Sequence, residues 1–160
     1  HATTVAVHNV TWNATSSGVA STEALEAALN WLTGGEAEIL REKVKSYHGA
    51  RMTLLSANIR QKKGAKKSIC HLGPNLLNEL LQSPDLESRI DDGNSLHIRL
   101  SLSRLVAGYI ELSTGSEEQV KGRIKLEVYP GQDPIENARM MLSKAAEKAD
   151  SESLPIDLGS

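Results

Sequence analysis

Two stretches in the second half of the chain alternate so strictly that they limit the fold before anything else is considered. Leu96, Ile98, Leu100 and Leu102 are interleaved with His97, Arg99, Ser101 and Ser103. Val120, Ile124, Leu126 and Val128 are interleaved with Lys121, Arg123, Lys125 and Glu127. Successive side chains of a strand point to opposite faces, so a period of two with one wet side predicts strands of an antiparallel sheet covered on one face only. After a bend near Arg104 the pattern continues through Val106, Ile110 and Leu112, and the loop Thr114 to Glu118 makes these last strands a hairpin.

The rest of the chain supplies helices to cover that sheet. A strand is expected over Thr3 to Trp12, then a polar loop from Asn13 to Gly18. Ser21 offers a helix N-cap, and Leu25, Ala28, Leu29 and Leu32 recur at helical spacing until Gly34-Gly35. Leu40, Val44 and Tyr47 predict a second helix from Glu36, ended by Gly49. Met52, Leu54, Ala57 and Ile59 then predict a strand, irregular near Leu55, with Lys67 to Leu72 as its partner across a turn at Gly64. A short helix opens at Pro74, Pro84 breaks it, and a further helical turn is expected from Asp85 to Ile90. Asp133-Pro134-Ile135-Glu136 starts a last helix, with Asp as N-cap and Pro at the first helical position. The fold class that follows is α+β: an antiparallel sheet with helices packed largely on one face. One domain is expected over residues 1–149, with 150–160 a disordered tail.

Composition narrows the function. A chain of 160 residues is long enough to bury a core without staples. That core must be aliphatic, because there is no Phe, and the aromatic residues are Trp12, Trp31, Tyr47, Tyr109 and Tyr129. Few rings are therefore on hand to stack splayed bases. The formal charge is −2, so attraction to a polyanion needs local clustering. Cys70 is the lone cysteine, which excludes an internal disulfide and multi-cysteine zinc motifs and suits a reducing, intracellular, cytoplasmic setting. No apolar run is long enough for a transmembrane segment.

The clustering exists. Arg60, Lys62, Lys63, Lys66 and Lys67 surround the expected turn at Gly64, forming a basic hairpin that repels itself unless a polyanion meets it. Arg99, Lys121, Arg123 and Lys125 could share the wet face of the sheet with His97 and extend the patch. The run Lys62 to Lys67 also resembles the lysine motif of double-stranded RNA-binding domains. In that family the motif opens the final helix after three strands, whereas here it is expected between two strands, which sets it apart.

Signs of catalysis are weak. There is no Gly-rich phosphate loop before a helix, no nucleophile elbow and no His-Glu-x-x-His. Cys70 and His71 are neighbours, but on a strand they would point apart. Neither a catalytic residue, a metal site nor a cofactor is assigned. Leu76, Leu77, Leu80 and Leu81 form an apolar cluster that is either core or a self-association surface.

Lys121-Gly122-Arg123-Ile124-Lys125-Leu126, followed by an acidic turn and the helix from Pro134, resembles the late strand and helix of rhabdovirus matrix proteins. The strand, polar loop and helix bearing Trp31 near the N-terminus stand in a similar order. The resemblance implies a self-associating, homo-oligomeric protein that links a ribonucleoprotein to the inner face of an envelope, with RNA, nucleocapsid or anionic membrane as partners of the basic hairpin. Its lysine-rich N-terminus and Pro-rich budding motif are missing from this sequence. The sequence thus favours a non-enzymatic assembly protein, with a nucleic-acid-binding module as the alternative and a small enzyme with a scattered site as the second.

Overall fold

The computed structural model describes residues 7–16, 19–45, 49 and 51–157. Along them run β1 (Val7–Ser16), α1 (Val19–Leu32), β2 (Glu38–Lys45), β3 (Arg51–Ile59), α2 (Lys62–Cys70) and α3 (Pro74–Gln82). A 3-10 turn at Glu87–Arg89 precedes β4 (Ser95–Ser101), α4 (Leu102–Val106), β5 (Gln119–Leu126) and α5 (Pro134–Ser151). The strands form one five-stranded sheet in the order β2-β3-β1-β5-β4, and every pair is antiparallel. This is a single α+β domain.

Register explains which face is dry. Val10 sits between Ile59 and Ile124, Trp12 between Ala57 and Gly122, and Ala14 opposite Leu55. Leu96, Ile98 and Leu100 lie opposite Ile124, Gly122 and Val120. All of these are buried, and they form one continuous core with Leu25, Leu29 and Leu32 of α1, Ala65 and Ile69 of α2, Leu76, Leu77 and Leu80 of α3, and Leu142 of α5. Trp12 is the largest core side chain, 1% exposed. Gly122 makes room for it: a Cβ at that glycine would lie 2.3 Å from Trp12 Cζ3. A glycine inside a strand weakens it unless something must approach closely, and here an indole does. Asp133 caps α5 as its sequence predicts, accepting from the Ile135 N–H at 3.0 Å, with Pro134 in the first turn.

The elements that differ from expectation have physical reasons. Residues 38–45 form a strand, not a helix. Leu40 and Val44 are four apart, a spacing that places two residues on one side of a helix and equally on one side of a strand, and pairing along the whole of β3 decides between them. Residues 67–70 belong to a helix, not to a partner strand. Ala65, Ser68 and Ile69 are buried together at helical spacing while Lys62, Lys63, Lys66 and Lys67 face solvent. The first strand runs on to Ser16 through the expected loop, because Thr11, Asn13 and Thr15 alternate with Trp12, Ala14 and Ser16. Residues 3–6 of the expected strand, and Tyr47, lie outside the described residues. After β4 the chain turns into α4, whose Arg104 N–H donates to Ser101 Oγ at 3.3 Å. Leu112 keeps only a bridge to Leu100. The leucines offered as a self-association surface are core: Leu76, Leu77 and Leu80 are at most 2% exposed and Leu81 packs against the same cluster.

The chain beyond α5 folds back, with residues 158–160 outside the described residues. Trp31 Nε1 donates to the Ile156 carbonyl at 2.5 Å, and the Ile156 N–H donates to His71 Nε2 at 3.2 Å. A Cβ on Gly73 would come within 2.7 Å of Pro155 Cδ, so the segment lies close on the α2–α3 corner. His71 must be neutral to accept that N–H, which leaves the proton on Nδ1, 3.4 Å from the Leu32 carbonyl. Burial pushes the His71 pKa below its ordinary value of 6.5, and the Leu32 carbonyl only partly opposes this. The folded form therefore binds a proton less readily than the unfolded chain, so its stabilising contribution is full above pH 6.5 and is lost as pH falls through the lowered folded value. Trp31 fluorescence should shift on acidification below pH 6.5 as Ile156 leaves His71. The shift should vanish in His71→Gln, and an unchanged acid transition in that variant would assign it to other groups.

Candidate functional site

The face of the sheet away from the core carries the other parity of every strand. Reading the ladder across, Asn58, Thr11, Arg123 and His97 are successive neighbours, as are Ser56, Asn13, Lys121 and Arg99, while Asn9 is paired with Lys125 and Lys125 with Ser95. Arg99, Lys121, Arg123 and His97 are exposed and Lys125 half-buried. The expectation that these cations share one surface thus follows from the observed register. The acidic residues of the same parity, Glu38 and Glu42, stand on β2 at the far edge, so the face is positive over β5 and β4, polar and uncharged over β1 and the Ser56–Asn58 end of β3, apolar at Met52 and Leu54 of β3 with Leu40 and Val44 of β2, and acidic at Glu38 and Glu42.

The second basic group is not a hairpin. Lys62, Lys63, Lys66 and Lys67 occupy the exposed side of α2, which opens directly after β3. They open a helix and not a strand, but α2 is followed by three more helices, so the double-stranded RNA-binding motif, which opens a final helix, remains apart. No side chain caps α2 and no acidic residue lies in its first turn, so its positive end is loaded with cations, an arrangement that disfavours the isolated helix. Lys62 is fixed by Glu127 at 2.9 Å. The Glu127 carboxyl is held below its usual range by the Tyr129 hydroxyl and then by Lys62. Lys63 and Lys67 line a polar depression of about 530 Å³ together with Arg60, Asn58, Glu36 and Glu38. Through Asn58 this depression joins the α2 cations to the open sheet face.

Cations differ in whether a carboxylate meets them, and Lys43, Lys45 and Arg51 at the far end of β2 and β3 are, like most of the site's cations, in no ion pair among the described residues. Arg41, Arg89, Arg104 and Arg139 each meet a carboxylate. Among the described residues Arg60, Lys63, Lys66, Lys67, Arg99, Lys121 and Arg123 form no ion pair. Lys125 donates to the Gly93 carbonyl, which orients it without neutralising it. His97 lies 2.7 Å from Asp91, whose carboxyl is lowered by that imidazole and by the N–H groups of Ser95 and Gly93. Sequence reasoning missed Asn9, Thr11, Asn13, Ser56 and Asn58, the neutral strip between the two cationic groups. Their alternation with buried residues along β1 and β3 was the signal.

Little here suits catalysis. Cys70 is buried, and burial pushes its thiol pKa up. Among the described residues no three His, Cys, Asp or Glu side chains are placed to hold a metal ion. Among the same residues no helix is long and apolar enough to cross a membrane.

The fold and site define a class: an α+β domain with one sheet face under helices, cations on the other face over β4 and β5, and a basic helix opening at its rim. The model of the family described as RNA binding matches residues 12–128, and the chain belongs to that family. Its fold is shared with the DUF54 protein Mth689 from Methanothermobacter thermautotrophicus, at 24% identity over 86% of this chain and 98% of that one, with a TM-score of 0.71. The DUF54 protein AF2318 from Archaeglobus fulgidus is similar at 27% identity, covering 84% of this chain and 99% of that one, with a TM-score of 0.70. A UPF0201 protein from Methanococcus jannaschii shares the fold at 10% identity, over 84% of this chain and 92% of that one, with a TM-score of 0.57. No curated protein matches the chain significantly. These findings overturn the resemblance to rhabdovirus matrix proteins, which rested on the order of one strand, an acidic turn and a helix. That order recurs wherever a helix covers the end of a sheet.

Proposed function

We propose that this protein is a non-enzymatic RNA-binding module that holds the RNA backbone on its open sheet face and on the adjoining end of α2. The observation that carries the reading is the set of unneutralised cations: Arg99, Lys121 and Arg123 on the face, with Arg60, Lys63 and Lys67 around the depression at its rim. Unpaired like charges held close together repel one another and are a burden to a protein of net charge −2 unless a polyanion meets them. Every one of these residues lies inside the span that matches the RNA-binding family, 12–128, whereas α5 and the returning tail lie beyond it.

The test is titration of a fluorescent structured RNA at two salt concentrations. Each neutralised phosphate releases counterions, so about six contacts, three on each flank, lower affinity roughly 1,000-fold between 50 and 200 mM salt. No binding, or binding indifferent to salt, would overturn the proposal.

A further inference from the structure

We infer that the RNA this face takes is base-paired, gripped by its phosphates and 2′-hydroxyls rather than by its bases; the inference rests on the RNA-binding reading above. Proteins that read single strands splay the bases and stack them on aromatic rings. Among the described residues no Trp or Tyr occupies an open-face position of the five strands. Trp12 is buried on the opposite side and Trp31 holds the returning tail. Tyr129, 56% exposed just beyond β5, is a single ring at the end of the face, its hydroxyl donating to Glu127. Tyr109 follows α4 and lies under the Arg104 guanidinium at 4.1 Å. The imidazole on the face, His97, is engaged by Asp91 at 2.7 Å.

What the face offers instead is a pattern of three tracts. Cations on β5 and β4 form one flank, and Arg60, Lys63 and Lys67 at the end of β3 form the other, which also carries the carboxylates of Glu36 and Glu38 and so is positive by one charge over them. Between them lie Asn9, Thr11, Asn13, Ser56 and Asn58. β3 and β5 are separated by β1 alone, which puts the flanks about 10 Å apart at the ordinary strand spacing. Amides and hydroxyls both donate and accept, as the 2′-hydroxyl does. Ser56 Oγ donates to Asn13 Oδ1 at 2.8 Å, leaving the Asn13 NH₂ to donate outward. The wide, shallow minor groove of an A-form duplex presents a comparable pattern, 2′-hydroxyls and base edges lying between two phosphate backbones. A flexible single strand would satisfy one cationic flank and leave the polar band without a matched partner.

The experiment compares the full chain's affinity for an RNA duplex of about 20 base pairs, longer than the ~16 that duplex-RNA readers span, with each of its single strands and with the DNA duplex of the same sequence. All are measured at one salt concentration. We expect the RNA duplex to bind at least about ten-fold tighter than either single strand or the DNA duplex, the 2′-hydroxyl being what separates RNA from DNA. Thr11→Val, a shape-preserving change on a strand, should cut the RNA-over-DNA preference about two- to ten-fold, the worth of one hydrogen bond, without changing the salt slope. A single strand that binds as tightly as the duplex, or a DNA duplex that equals the RNA duplex, would overturn the inference while leaving RNA binding intact. Failure of every RNA to bind would overturn the RNA-binding reading itself.

Discussion

Gly122→Ala should destabilise the domain by about 3 kcal/mol, at the upper end for an overpacked core. The added methyl would sit 2.3 to 2.7 Å from three atoms of the Trp12 ring. That ring is rigid, 1% exposed, and held among the core residues of the sheet and helices, so it has nowhere to swing. The gain in strand propensity of Ala over Gly is worth less than about 1 kcal/mol and cannot offset the clash. In a domain whose whole stability is about 5 to 15 kcal/mol, urea denaturation should register a large fall in midpoint with an unchanged slope. Trp12→Leu alone should also destabilise, through the cavity it leaves. The double variant should be far better than the sum of the two, because the methyl then fills space the indole vacated. A Gly122→Ala protein as stable as the parent would mean that Trp12 packs elsewhere.

The second large effect concerns binding, not folding. Arg99→Gln/Lys121→Gln/Arg123→Gln removes three exposed cations without an ion-pair partner, so stability should change by no more than about 0.5 kcal/mol per site. The slope of log affinity against log salt should fall by about 0.9 for each duplex phosphate that is no longer neutralised. With three such phosphates the slope is lower by about 2.7, and affinity near 50 mM salt should drop by roughly two to three orders of magnitude. Lys63→Gln/Lys66→Gln/Lys67→Gln should produce a parallel loss on the α2 flank. Lys62 is left in place there because its ion pair with Glu127 fixes the end of β5 to the helix. The two groups share no partner, so their effects should add. Full affinity in the sheet-face variant would remove that face from the site.

Much of this is legible in the sequence, for reasons that can be stated residue by residue. The alternation of Leu96 to Leu100 and of Val120 to Leu126 encodes both the dry face and the cationic one, because a period of two sorts each residue to one side without further information. Cross-strand register is not legible. That Arg123 stands between Thr11 and His97 depends on β1 lying next to β5, a pairing of segments far apart in the chain. The misassignment of residues 38–45 comes from a spacing of four, which helix and strand share. That of 62–70 comes from reading Gly64 as a turn. In the folded chain that glycine sits inside α2, where a Cβ would be 3.3 Å from Ile59 Cγ2, so its smallness lets the helix close on the end of β3. The sequence identifies the lysines as a cluster but not as a helix. The difference matters for function, since a helix fixes their spacing where a loop tip would not. The neutral strip of Asn9, Thr11, Asn13, Ser56 and Asn58 escapes a reading of the sequence, because uncharged polar residues look bland until the sheet sets them between two cationic flanks.

RNA held on the open sheet face and the adjoining end of α2 would perturb the amides beneath it, and chemical-shift mapping during an RNA titration reports every segment at once. Changes are expected at Thr11, Asn58, Lys63, Arg99, Lys121 and Arg123, with α3 and the exposed side of α5 unmoved. Changes concentrated on α3 and α5, with the sheet face silent, would contradict that placement.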